Sequence, residues 1–188
     1  MKTRESGMPS EDLWRTFFDP DLILKRLGLK GDHQCVVDLG CGFGTFAAPA
    51  AALVDGFVYA FDIDVQMVEA TQKAATTAGL KNLIVTRRDF VEQGSGLPDG
   101  SADFVMLFNI LHAAEAGLLL QEAQRVLTRH GILAVIHWNH DPSTPRGPSM
   151  EIRLRPGECL RTVASAGFVT DRLLDLPPFH YGFAARKP

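Results

Sequence analysis

The chain has 188 residues, 46% of them hydrophobic and 22% charged, with a formal net charge of −3. That is enough apolar side chain for one ordinary domain over residues 1–188 to close a core without disulfides or a structural metal. Charges are interspersed rather than blocked, Cys35, Cys41 and Cys159 have no CxxC spacing, and no apolar run is long enough to span a bilayer. Nucleic acid, a disulfide framework, a zinc site and a membrane anchor are therefore set aside, and a reducing, cytoplasmic setting is expected.

Residues 1–10 are polar and lack the apolar stretch of a leader. From Glu11 to Leu29 the apolar positions predict two short helical pieces, broken near Asp19-Pro20 because the residue before proline avoids the helical region. They form an N-terminal helical flap over residues 1–30. Cys35–Leu39 and Phe57–Phe61 read as strands, with an Ala-rich helix from Thr45 to Val54 between them. A helix from Val65 to Ala78 closes at Gly79 and leads to a strand at Leu83–Thr86. Ala102–Phe108 is a buried strand, Ala116–Leu127 a helix and Gly131–Trp138 a further strand. Residues 139–156 carry four prolines and form a long loop on the side where a substrate would sit, followed by a helix from Gly157 to Ala166. The tail gives a last pair of strands, Phe168–Asp175 and Phe179–Arg186, separated by Pro177-Pro178. Alternation of this kind demands a mostly parallel sheet with helices on both faces.

The chemistry centres on Val36–Thr45, a strand running into the glycine-rich turn Gly40-Cys41-Gly42-Phe43-Gly44 before a helix. Glycine there lets the backbone approach a nucleotide-like ligand, although such a turn also serves simple chain reversal, and the neighbouring segments decide between the two. Strand two ends in Asp62, twenty-two positions after Gly40, where a carboxylate suits the two hydroxyls of a ribose. Strand three runs into Arg88-Asp89-Phe90. Asp89 is placed to accept from the exocyclic amine of an adenine, Phe90 offers a backbone donor, and Ile63 and Phe90 can sandwich the ring.

With these segments in order, the sequence resembles the class I S-adenosylmethionine-dependent methyltransferases, in particular the small-molecule group called type 11. The resemblance rests on Val36–Gly44, Phe61–Asp64, Arg88–Phe90 and Phe104–His112 and spans nearly the whole chain. It implies a doubly wound, three-layer α/β/α domain with a mostly parallel seven-stranded sheet and an antiparallel last strand. It also implies S-adenosylmethionine as cofactor, with Asp38, Gly40, Cys41 and Gly42 around the methionine part, Asp62 at the ribose, Ile63, Asp89 and Phe90 at the adenine, and Asn109 beside the methyl-transfer site. No metal is expected, the partner is a small-molecule methyl acceptor, and the protein is a monomer or homodimer.

His112 and His137, at the ends of strands four and five, are the candidate general bases, with His140 nearby. Arg146, Arg153, Arg155 and Arg161 can form a cationic rim for an acidic acceptor, and Trp14, Phe17 and Phe18 either fold over the cofactor as a lid or pack as core. Two rivals stand against this reading: a nicotinamide-dependent oxidoreductase, and a non-catalytic module that binds S-adenosylmethionine. The first expects Gly-x-Gly-x-x-Gly, whereas the third glycine here comes one residue early and Asp38 would face phosphates.

Overall fold

Apolar runs bounded by glycine make strands buried on both faces. In the computed structural model, which describes residues 10–188, every such run is a strand of one sheet. The strands are β1 (Cys35–Leu39), β2 (Phe57–Asp62), β3 (Leu83–Arg87), β4 (Ala102–Phe108), β5 (Leu127–Trp138), β6 (Val169–Thr170), β7 (Leu174–Leu176) and β8 (His180–Arg186). The helices are α1 (Glu11–Arg15), α2 (Pro20–Arg26), α3 (Ala47–Leu53), α4 (Val65–Thr77), α5 (Phe90–Gln93), α6 (Ala116–Val126) and α7 (Pro156–Ser165). Among these described residues no helix is long and apolar enough to cross a membrane.

The sheet runs β3-β2-β1-β4-β5-β8-β6, with β7 also paired to β8. The first five strands are mutually parallel and β8 is antiparallel to β5, from Ile132↔Arg186 to Trp138↔His180. The doubly wound fold is as the sequence implies, but the sheet has eight strands rather than seven. The expected strand at 168–175 is interrupted: β6 and β7 pair with opposite ends of β8, Val169 with Arg186 and Leu176 with His180, so the two fill one rank of the sheet.

Alternation along the strands divides the core in two. Phe104, Met106 and Ile136 face α2 and α3, while Val105, Leu107 and Val135 face α5, α6 and α7. The break between α1 and α2 falls where proline puts it, with Pro20 in the first turn of α2 and the Asp19 side chain accepting from the Leu22 N–H at 3.1 Å. Residues 1–9 of the expected flap lie outside the described residues. Two features differ from expectation: the four-residue α5 is too short for a helical period to register, and β5 starts at Leu127 instead of Gly131, past a register shift between Ala102 and Phe104.

Candidate cofactor and acceptor site

The ends of β1, β2, β3 and β4 converge on the glycine turn. The N–H groups of Gly40 and Cys41 both donate to the Phe61 carbonyl, at 2.9 and 3.0 Å. The Gly42 N–H donates to Asp62 Oδ2 at 2.9 Å, and the Asp64 N–H to Asp62 Oδ1 at 3.0 Å. From α4, the buried Thr71 hydroxyl donates to the Gly42 carbonyl at 2.8 Å. The turn is thus clamped from two neighbouring elements, and at Gly40 and Gly44 the clamp leaves little room for a Cβ. Gly40 has φ +89, and a Cβ there would meet Ile110 at 3.0 Å and the Phe90 ring at 3.9 Å; Gly44 has φ +76, with Thr71 2.9 Å away. Thr71 carries no recognisable motif, and its role shows only in three dimensions. The Cys41 thiol turns inward to Thr71, 3.6 Å away, so this residue shapes the turn.

Two acids lie in this floor. Asp38 is 3% exposed and its carboxyl is pushed up to about 7, first by burial and then by the neighbouring Asp62. Asp62 is also raised by burial, against the opposing pull of the N–H groups of Asp64 and Gly42. A buried pair of like charges is costly and favours a cation between the acids.

Asp89 stands where β3 ends and serves as N-cap of α5, its Oδ1 accepting from Val91 and Glu92 N–H at 3.2 Å. The Phe90 ring, 7% exposed, packs in the core cluster on the α5–α6 side and reaches the glycine turn beside Gly40. What Phe90 offers is its N–H, which opens α5 and has no acceptor within the helix. Ile63 is half-buried at the end of β2. Asn109 ends β4 at φ +56, with its N–H donating to Ile136 O at 2.8 Å. Both atoms of its amide are buried without a partner, as is the Thr45 hydroxyl just after the glycine turn. Buried polar atoms of this kind mark where a ligand's polar groups belong.

Beyond Asn109 the histidines divide between the two faces. His137 points toward the α6–α7 side, its ring 5.5 Å from His112 and stacked on Tyr181 at 6.0 Å. Burial lowers both, His137 to about 3 with His112 and Arg153 adding to the effect. The Nδ1 of His112 and both ring nitrogens of His137 are buried without partners. His140 is engaged elsewhere, through Nδ1 with the Arg153 carbonyl at 2.8 Å.

Arg153 is not part of a cationic rim. Its guanidinium donates to the carbonyls of Asn139, Asp141, Arg146 and Pro148 and to the Thr144 hydroxyl, fastening the 139–155 loop from within. Gly147 of that loop lies against Trp138, where a Cβ would meet the indole at 3.0 Å. On the indole's other neighbours, Trp14, Phe17, Phe179 and His180 gather at centroid distances of 6.2, 5.4, 6.3 and 4.2 Å. The aromatic residues of the N-terminal segment thus cover the paired ends of β5 and β8 at Trp138 and His180. Burial pushes the thiols of Cys35 and Cys159 up to about 11 and Cys41 well above its usual range, so all three are held protonated.

A doubly wound sheet with a glycine-rich turn after β1 and the buried acids Asp38 and Asp62 beside it is the architecture of a cofactor-binding α/β domain. Residues 37–135, just over half of the chain, match the type 11 Methyltransferase domain family, and the chain belongs to that family. It is similar to a SAM-dependent methyltransferase from Aquifex aeolicus, with a TM-score of 0.82 and 29% identity over 92% of this chain and 91% of that one. It is 35% identical over 111 residues to a ribosomal protein L11 methyltransferase of Thermotoga neapolitana, covering 58% of this chain and 38% of that protein. It is 33% identical over 102 residues to the aklanonic acid methyltransferase DauC of a Streptomyces species, covering 53% and 46%. The chain therefore spans less than half the length of these curated relatives.

Proposed function

We propose that this protein transfers a methyl group from S-adenosylmethionine to a small-molecule acceptor. The observation that carries the reading is the buried pair Asp38 and Asp62 beside a turn in which Gly40 and Gly44 leave backbone bare. An anionic floor repels a pyrophosphate, which counts against a nicotinamide cofactor, and attracts the ammonium of an amino-acid arm. The bound cofactor supplies an electrophilic methyl group on a sulfonium.

The residues present fit that group. Asp38 holds the ammonium, Gly40, Cys41 and Gly42 let the arm lie on the backbone, and the unpartnered Asn109 amide and Thr45 hydroxyl bind its polar end. Asp62 has lone pairs left for a ribose, with Ile63 beside it, while Asp89 and the Phe90 N–H take the adenine edge. His112 is the better-placed base of the two histidines, being only half-buried, whereas His137 is fully enclosed and acts as its neighbour. Most of the rate is expected from in-line positioning and exclusion of water rather than from a dedicated acid or base.

Melting temperature with S-adenosylhomocysteine or NADH tests the reading by mass action. S-adenosylhomocysteine is expected to stabilise the protein; stabilisation by NADH alone would reverse the assignment. Turnover of S-adenosylmethionine across acceptor candidates then separates an enzyme from a module that only binds it.

A further inference from the structure

On the face of the sheet opposite His137, eight rings meet at the rim of β4, β5 and β8. His180 lies at their centre, 4.4 Å from Phe18 and 4.2 Å from Trp138 by ring centroids. Phe18 leans on Phe46 at 5.1 Å and Phe46 on Phe108 at 4.7 Å, which ties the cluster to a residue two positions past the glycine turn and to the residue before Asn109. The cluster therefore adjoins the cofactor strip.

His180 is the anomaly among these rings. It is 0% exposed, and neither ring nitrogen has a hydrogen-bond partner. A buried donor or acceptor left unpaired costs about 1–3 kcal/mol, and a neutral imidazole here holds one of each. An apolar residue would fill the same place without that penalty, so the polar edge is matched to something that enters. A hydroxyl group, itself donor and acceptor, is the complement of a neutral imidazole, and the flat walls suit a flat ring. Charge narrows the choice further. The charged group acting on His180 is Arg153, which opposes a positive charge there, His137 being held neutral. An ammonium-bearing acceptor would meet the Arg153 charge, offset in part by the exposed Asp141 carboxylate.

Resting on the methyl-transfer reading, we propose that this ring cluster is the acceptor site, that the acceptor is an uncharged aromatic molecule bearing a hydroxyl group, and that the His180 edge selects it. Entry requires the α1–α2 aromatic segment to swing off Trp138, since Phe18 and Trp138 cover the two faces of the imidazole. His180 escaped the sequence reading because it belongs to no motif and its partners come from four separate segments.

The test uses calorimetry on protein saturated with S-adenosylhomocysteine, titrated with 2-naphthol or with 2-naphthylmethylammonium. The naphthol should bind at least about tenfold tighter than the ammonium, and His180→Leu should weaken naphthol about tenfold, the worth of one hydrogen bond. His180→Gln, which keeps a donor and an acceptor, should recover part of that loss. S-adenosylhomocysteine affinity should be unchanged in both variants, and His180→Leu should melt no lower than the parent, which a merely structural histidine would not allow. Equal naphthol binding by parent and His180→Leu, preference for the ammonium, or no naphthol binding at all overturns the proposal. Failure of the parent to bind S-adenosylhomocysteine overturns instead the reading beneath it.

Discussion

Asp62 Oδ2 accepts the Gly42 N–H at 2.9 Å, so the acid that ends β2 also fixes the turn that ends β1. Replacing it should affect shape and ligand together. Asp62→Ala strands the N–H groups of Gly42 and Asp64 and should cost about 1–3 kcal/mol in stability. It should also weaken S-adenosylhomocysteine more than tenfold, about 1.4 kcal/mol or more. Denaturant titration and calorimetry on one preparation check both.

Asp38 gives the free protein an unusual pH response. Its carboxyl ionises near 7 when folded against 3.8 ordinarily, so between those values the folded state binds more protons. Its contribution to stability is full below pH 3.8 and declines as pH rises through 7. An ammonium beside the carboxylate favours ionisation, so S-adenosylhomocysteine affinity should climb by up to about tenfold per unit between roughly pH 5 and 7. Asp38→Asn should abolish that slope and melt higher than the parent at pH 8.

The enclosed histidines work in the other direction. His137 and His180 are both lowered to about 3, so the unfolded chain binds more protons between there and the ordinary 6.5. Their contribution is present above 6.5 and is lost as the pH falls toward 3. Nuclear magnetic resonance of the ring protons should show both neutral throughout the folded range, and His112 titrating below 6.5. A ring of His137 that titrates near 6.5 would contradict the enclosure described for it.

Asn109 separates binding from folding. Its φ of +56 suits glycine and its amide has no partner, so Asn109→Gly should change stability by less than about 1 kcal/mol. Cofactor affinity or turnover should nonetheless fall about tenfold or more, since the amide is assigned to the ligand. Unchanged binding and turnover would remove Asn109 from the site.

Arg153 should behave as a fastener. Arg153→Met leaves four carbonyl groups of the loop without their donor and should cost about 2–4 kcal/mol if the loop opens as part of global unfolding. Hydrogen exchange should rise over residues 139–155, while S-adenosylhomocysteine affinity changes little.

The order of strands and helices was legible because each element announces itself locally: Asp19-Pro20 breaks the flap, Gly79 closes α4, and Ala102–Phe108 is apolar throughout. The acids and glycines assigned to the candidate site carry local signals of the same kind, since they lie at or beside strand ends. What stayed hidden depends on contacts distant in sequence. Thr71 reaches the glycine turn across twenty-nine positions, Arg153 spends its charge on its own loop, and the polar pair Asp171-Arg172 divides a strand that its apolar neighbours would have continued. The inward turn of the Phe90 ring follows from α5, which has too few residues to reveal a helical face.

Trp14 and Trp138 are the chain's two tryptophans, and they stand 6.2 Å apart in the roof over β5. Ultraviolet emission from the folded protein thus arises at a single spot, and the coupling between the two indoles falls off steeply if the roof lifts. The molecule carries an unlabelled optical gauge of the opening proposed above, one that stopped-flow mixing can follow in real time.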